Sequence, residues 1–227
     1  MRSRTAAGLL LLCGAIAAHA QTESLVEIET GRTMSAAGSA EPVVLRAILT
    51  MPAGATETAI LYFRGNPGYM LINSLRDKQR NLGWVGKGEA QLMQAGIALV
   101  QVDCPTDQLG DSPRPPATRC LGDYRSSPQH ADDVRRLLAQ LKAQHGLKNF
   151  YVLGHSLGSI SSRWLAINLG KDEIAGSIHS SAMNSFAPNL YSLLGDLPRL
   201  FPAKSAGAPS LNVHNENDAC RSTPYNY

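Results

Sequence analysis

The sequence predicts an α/β domain with a mostly parallel sheet and helices on both of its faces, and three observations point there. Short apolar runs alternate with stretches of helical periodicity from residue 43 onward. Most of those runs are continuous rather than alternating in polarity, as in strands covered on both sides. With 227 residues, 44% of them hydrophobic and 17% charged, the chain can bury a sizeable core, and disordered, collagen-like and coiled-coil classes are excluded.

Residues 1–20 read as a cleaved signal peptide. Arg2 and Arg4 precede an apolar run over 6–18, and Ala18-His19-Ala20 offers the small residues a signal peptidase accepts. The run is shorter than the ~20 apolar residues that cross a bilayer core. Leu12 before Cys13 argues against a lipid anchor, since a small residue is expected there. Residues 21–40 form a polar lead-in with one short strand around 25–28, and residues 41–227 form the domain proper. Its strands are expected at 43–49, 59–63, 97–103, 150–154, 175–179 and 211–214. The clearest helix starts from Ser127 as N-cap with Pro128 at the first helical position. It carries Val134, Leu137, Leu138 and Leu141 on one face, and Gly146 lies past its end. Residues 89–95 and 157–169 supply further helices.

The formal charge of +3 predicts no nucleic-acid partner. Secretion to the periplasm or beyond places the cysteines in an oxidising compartment. Cys104 with Cys120 is the expected bridge because it closes a short Pro-rich loop. Cys220 is left over, either as a buried free thiol or as the partner of a cysteine on further sequence.

Chemistry concentrates in Gly154-His155-Ser156-Leu157-Gly158, which joins a predicted strand to a predicted helix. A nucleophilic serine must stand out from a tight strand-to-helix turn, and glycines two residues to either side allow the close packing this requires. The helix that follows aims its free amides at a developing oxyanion.

On these residues the chain resembles the α/β-hydrolase superfamily from about residue 43 to its end. Tyr62-Phe63-Arg64-Gly65-Asn66-Pro67-Gly68 is similar to the family's His-Gly-x-Pro-Gly oxyanion loop, with Arg64 in place of the histidine. Asp103 and the Gly110-Asp111-Ser112 turn, the helix carrying Asp132 and Asp133, and the run from Val213 to Asp218 fall where the family has counterparts. The resemblance implies Ser156 as nucleophile, the backbone N–H groups of Leu157 and Asn66 as oxyanion donors, and Asp218 as the triad acid, with Glu216 its nearest rival. Asp103 is expected to be structural, accepting backbone hydrogen bonds.

The family's histidine follows a last strand beyond the acid, and no histidine follows Asp218 here. His19 leaves with the leader. His130 and His145 are expected on a helix surface, His155 is expected to point away from the nucleophile, and His179 and His214 to end their strands. The expectation is therefore an α/β-hydrolase fold lacking its last strand and helix, truncated before the catalytic base and of little activity as written. The implied function is hydrolysis of small carboxylic esters through an acyl-enzyme. An amidase or thioesterase of the same fold, or a non-catalytic ligand-binding relative, is the alternative. No metal or cofactor is implied, because no Cys/His cluster has ligand spacing and no phosphate-binding glycine fingerprint occurs.

Overall fold

The computed structural model describes residues 20–36, 38–78, 83–109, 120, 122–183, 207–220 and 223. The signal-peptide expectation, apart from Ala20, the Gly110-Asp111-Ser112 turn and most of the stretch 182–208 where related folds carry a lid lie outside the described residues.

Seven strands form one sheet: β1 (Thr22–Ala36), β2 (Ser39–Met51), β3 (Thr58–Phe63), β4 (Ala98–Val102), β5 (Asn149–His155), β6 (Gly176–Ser180) and β7 (Ser210–Val213). Their spatial order is β1-β2-β4-β3-β5-β6-β7. The β2 strand runs antiparallel to both of its neighbours, and β4, β3, β5, β6 and β7 are mutually parallel. Among the described residues the helices α1 (Val85–Gln94), α2 (Gly122–Arg125), α3 (Pro128–His145) and α4 (Ser159–Asn168) accompany them.

The alternation of side chains across the pleat divides the core in two. On one face Leu45, Leu49, Leu61, Phe63, Val100 and Val152 pack against Val134, Leu137, Leu138 and Leu141 of α3 and Leu165 of α4. On the other, Ile48, Ile60, Tyr62, Leu99 and Leu153 pack against Val85 of α1 and against Met70 and Ile72. Helix α3 begins and ends as its sequence dictates. The Ser127 hydroxyl accepts from the His130 N–H at 3.2 Å, and Gly146 closes the helix in the left-handed conformation at φ +67°.

Two elements depart from expectation. The lead-in is one long strand of 15 residues, paired with β2 through a register irregularity between Glu29 and Thr33. Its inward residues Val26, Ile28 and Thr30 are buried while the polar residues between them face out, so a polar composition concealed a half-buried strand. Arg32 secures it, donating to Asp133 of α3 at 2.6 and 3.0 Å and to Asp107 at 2.9 Å. At the other edge, all four residues of β7 are exposed, because among the described strands it pairs with β6 alone.

Cys104 and Cys120 are joined by a disulfide, as their spacing suggests. Cys220 is exposed rather than buried. Among the described residues no helix is long and apolar enough to cross a membrane.

Candidate active site

The parallel register brings the carboxyl ends of β3, β5, β6 and β7 to one side of the sheet: Phe63 lies opposite Gly154, His155 opposite Ser180, and Ser180 opposite Val213. In doubly wound sheets this is the side where ligands bind. Ser156 follows β5 directly and adopts φ +50°, a left-handed conformation that a residue with a side chain holds only under constraint. The constraint comes from its flanking glycines. A Cβ on Gly154 would stand 2.1 Å from the Gly158 carbonyl oxygen, and one on Gly158 would stand 2.0 Å from the Phe63 carbonyl oxygen. No side chain fits at either position, so the glycines of the motif are dictated by backbone contact.

Behind the turn, α4 is anchored by three fully buried serines. Ser159 Oγ accepts from the Met183 N–H at 3.0 Å, Ser161 Oγ accepts from Arg125 at 2.6 Å, and Ser162 Oγ bonds His179 Nδ1 at 2.7 Å. The loop after β3 lies against the turn: a Cβ on Gly65 would be 3.1 Å from Ser156 Cβ and 3.0 Å from the His155 carbonyl oxygen. Gly68 N–H donates to the Gly65 carbonyl at 2.8 Å and closes the tight turn that carries Asn66. Asp103 holds the continuation, accepting from the Met70, Ile72 and Cys104 amides at 2.6, 2.7 and 2.8 Å. It is the structural carboxylate its position suggested. Burial nevertheless raises its pKa, while the three amides and Arg125 act in the opposite direction.

A cavity of about 400 Å³ opens over this junction, lined by Tyr62, Arg64, Gly65, Asn66, Gly83, Trp84, His155 and Ser156. Ser156 and Asn66 therefore share one wall. Leu157 follows at the start of a 3₁₀ turn (Ser156–Gly158), where first-turn amides have no intrahelical acceptor. Tyr62 and Trp84 were not anticipated from sequence; Trp84 precedes α1, and its ring lies 5.3 Å from that of His155.

Asp218 is not part of the cavity wall. Its carboxylate accepts from the Cys220 N–H and the Thr223 hydroxyl, both at 2.9 Å, and lies 3.4 Å from His214 Nε2. The Cys220 amide first, then Thr223, His214 and His155, hold its pKa below the usual aspartate value.

The histidines occupy distinct environments. His130 is buried rather than on the helix surface: its ring meets Phe63 edge-on at 5.4 Å and Tyr124 at 4.9 Å, and neither ring nitrogen has a hydrogen-bond partner. The expectation failed because His130 falls on the apolar face of α3, one turn before Val134. Burial, with Arg125 nearby, lowers its pKa to about 3. His155 lines the cavity, and its Nδ1 lies 3.2 Å from Ser180 Oγ. His179 is engaged at both nitrogens, by Ser162 and Ser177, and burial lowers its pKa to about 4. His214 Nε2 donates to the Thr223 carbonyl at 2.7 Å. Among the described residues none makes a hydrogen bond with the Ser156 hydroxyl, and no group of three or more His, Cys, Asp or Glu could hold a metal ion.

Comparison with known proteins agrees with this architecture. A family model described as the alpha/beta hydrolase fold matches residues 108–208, which include the whole Gly-x-Ser-x-Gly turn. Dienelactone hydrolase from Anabaena variabilis superposes with a TM-score of 0.50 at 20% identity, over 86% of this chain and 74% of that one, a likeness of fold. A cold-adapted esterase from an Arctic intertidal metagenomic library gives a TM-score of 0.49 at 13% identity, over 88% and 77% of the two chains. A thermostable carboxyl esterase from Bacillus coagulans gives 0.46 at 17%, over 75% of this chain but 48% of its own, so the chain spans about half of that protein's length. No curated protein matches the sequence. By its sheet order and by the match of residues 108–208 to the family model, the chain has the alpha/beta hydrolase fold.

Proposed function

We propose that the chain is a serine hydrolase that cleaves carboxylic esters through an acyl-enzyme on Ser156. The observation that carries this reading is the strained Ser156, held at φ +50° on the wall of a cavity that Asn66 also lines. Ser156 Oγ attacks the ester carbonyl carbon, and the tetrahedral oxyanion accepts hydrogen bonds from the Leu157 and Asn66 N–H groups. The serine proton passes to an imidazole and from there to the departing alcohol; water then attacks the acyl-enzyme by the same route in reverse. Asp218 orients that imidazole and stabilises its charged form.

Since no described histidine bonds Ser156, slow turnover is expected. Losing a triad member costs roughly a millionfold, with ~10³ to 10⁴ over water retained through binding and the oxyanion hole. Imidazole added to the solution restores part of the loss. The test is p-nitrophenyl acetate hydrolysis across an imidazole titration, counting only the rate in excess of Ser156→Ala under the same conditions. A saturable, imidazole-dependent excess supports the reading. A second reading, a ligand-binding relative without turnover, is favoured by the same lack of a base within reach, and it predicts no excess at any imidazole concentration.

A further inference from the structure

Arg125 is a buried cation that the proposed chemistry does not use directly. It sits at the end of the short helix α2, 3% exposed, and its guanidinium reaches three separate parts of the molecule. Nε donates to the Cys120 carbonyl at 2.6 Å, Nη1 donates to Ser161 Oγ at 2.6 Å, and Nη2 donates to the Gly68 carbonyl. These acceptors belong to the disulfide, to the helix behind the nucleophile and to the tight turn that carries Asn66.

We propose that Arg125 is a positioning residue for acyl transfer at Ser156, clamping the Gly65–Gly68 turn to the nucleophile helix so that the Asn66 and Leu157 amides hold one geometry. The inference rests on the acyl-transfer reading above. Gly68 is gripped on its carbonyl by Arg125 and on its N–H by Gly65, and the next two turns of the loop are gripped by Asp103 through Met70 and Ile72. Arg125 is thus a described side chain that joins the Asn66 side of the loop to α4, through the Gly68 carbonyl and Ser161. Lysine cannot replace it, because three acceptors in three directions need the planar fork of a guanidinium. Oxyanion stabilisation is steep in geometry, so an amide displaced by less than an ångström loses its value in the transition state while leaving ground-state binding almost intact.

The test uses the full chain, with Arg125→Lys, Arg125→Gln and Ser161→Ala beside the wild type, each first shown to be folded by circular dichroism. Two readouts are taken: hydrogen–deuterium exchange of the segment 62–72, and the rate of fluorophosphonate labelling of Ser156 at fixed imidazole as a function of probe concentration. Expected in Arg125→Lys is faster exchange over 62–72, with a maximal labelling rate lower by about tenfold or more and a half-saturating probe concentration within about twofold of wild type. Ser161→Ala, which removes one of the three anchors, is expected to fall between. If Arg125→Gln fails to fold, the other two variants decide. Folded Arg125→Lys with wild-type exchange at 62–72, or with a wild-type maximal labelling rate, overturns the clamp. A folded wild type that never labels at Ser156 overturns the acyl-transfer reading instead, and the positioning role falls with it.

Discussion

The Ser156 turn and the Asp218 loop, which follow β5 and β7, are held by different physics. Around Ser156 the fixing contacts are tertiary: Gly154 and Gly158 lie so close to backbone that an added Cβ would stand about 2 Å from a carbonyl oxygen, three buried serines anchor the following helix, and Arg125 ties in the opposite loop. Around Asp218 the hydrogen bonds among the described residues are local, within residues 214–223, and the strand that leads there is exposed along its length. At Ser156 the surrounding packing over-determines the positive φ, whereas Asp218 is held by a local hydrogen-bonded turn.

The sharpest way to break this contrast is Gly158→Ala. A Cβ there collides with the Phe63 carbonyl, which belongs to a central strand and cannot yield. Destabilisation of several kcal/mol and loss of Ser156 labelling are expected, measured by urea unfolding and by mass spectrometry. A fold that absorbs the methyl with less than about 1 kcal/mol of loss would show the turn to be looser than its contacts indicate.

The next effect is one of pH. His130 stays neutral in the fold down to about pH 3, whereas in the unfolded chain it takes up a proton near pH 6.5. Between those values the unfolded state binds more protons, so stability falls as pH falls, by up to about 1.4 kcal/mol per unit from this residue alone. In His130→Phe the slope of stability against pH over that window should flatten, and its neutral-pH stability should match or exceed wild type because the ring makes no hydrogen bond. An unchanged slope would mean that another group governs acid unfolding.

Ser156→Gly separates strain from chemistry. Glycine tolerates φ +50°, so the variant is expected to be about 1 kcal/mol more stable by denaturant titration while losing all labelling. Asp218→Asn acts on a partly exposed carboxylate with local partners and should change stability by less than about 1 kcal/mol. Asp218→Asn should nonetheless depress the imidazole-dependent turnover, since it removes the charge that stabilises an imidazolium. Equal turnover in Asp218→Asn and wild type would remove Asp218 from the mechanism.

Much of the fold was legible because it rests on local patterning: the βα alternation, the N-cap and closing glycine of α3, and the glycine spacing around Ser156 each carry their own backbone requirement. The Asp103 role and the Cys104–Cys120 bridge were also readable, one from a carboxylate after a strand and the other from a short loop between cysteines. What escaped depends on partners distant in sequence. Nothing in the sequence singles out Arg32 before β1 carries it to Asp133, or Arg125 before the loop after β3 folds over it, and His130 reads as a surface residue until Phe63 and Tyr124 enclose it. The length of β1 was hidden because Gly31 and the register irregularity interrupt its alternation.

The central claim is that the Ser156 hydroxyl is presented to the cavity as a nucleophile beside ready oxyanion amides. Its most direct test is peptide mass spectrometry of the folded chain after exposure to a fluorophosphonate with increasing imidazole. The account predicts a single adduct on Ser156 that forms faster as imidazole rises and is absent in Ser156→Ala. A folded sample that stays unmodified at saturating imidazole, or one modified at another residue, would contradict it.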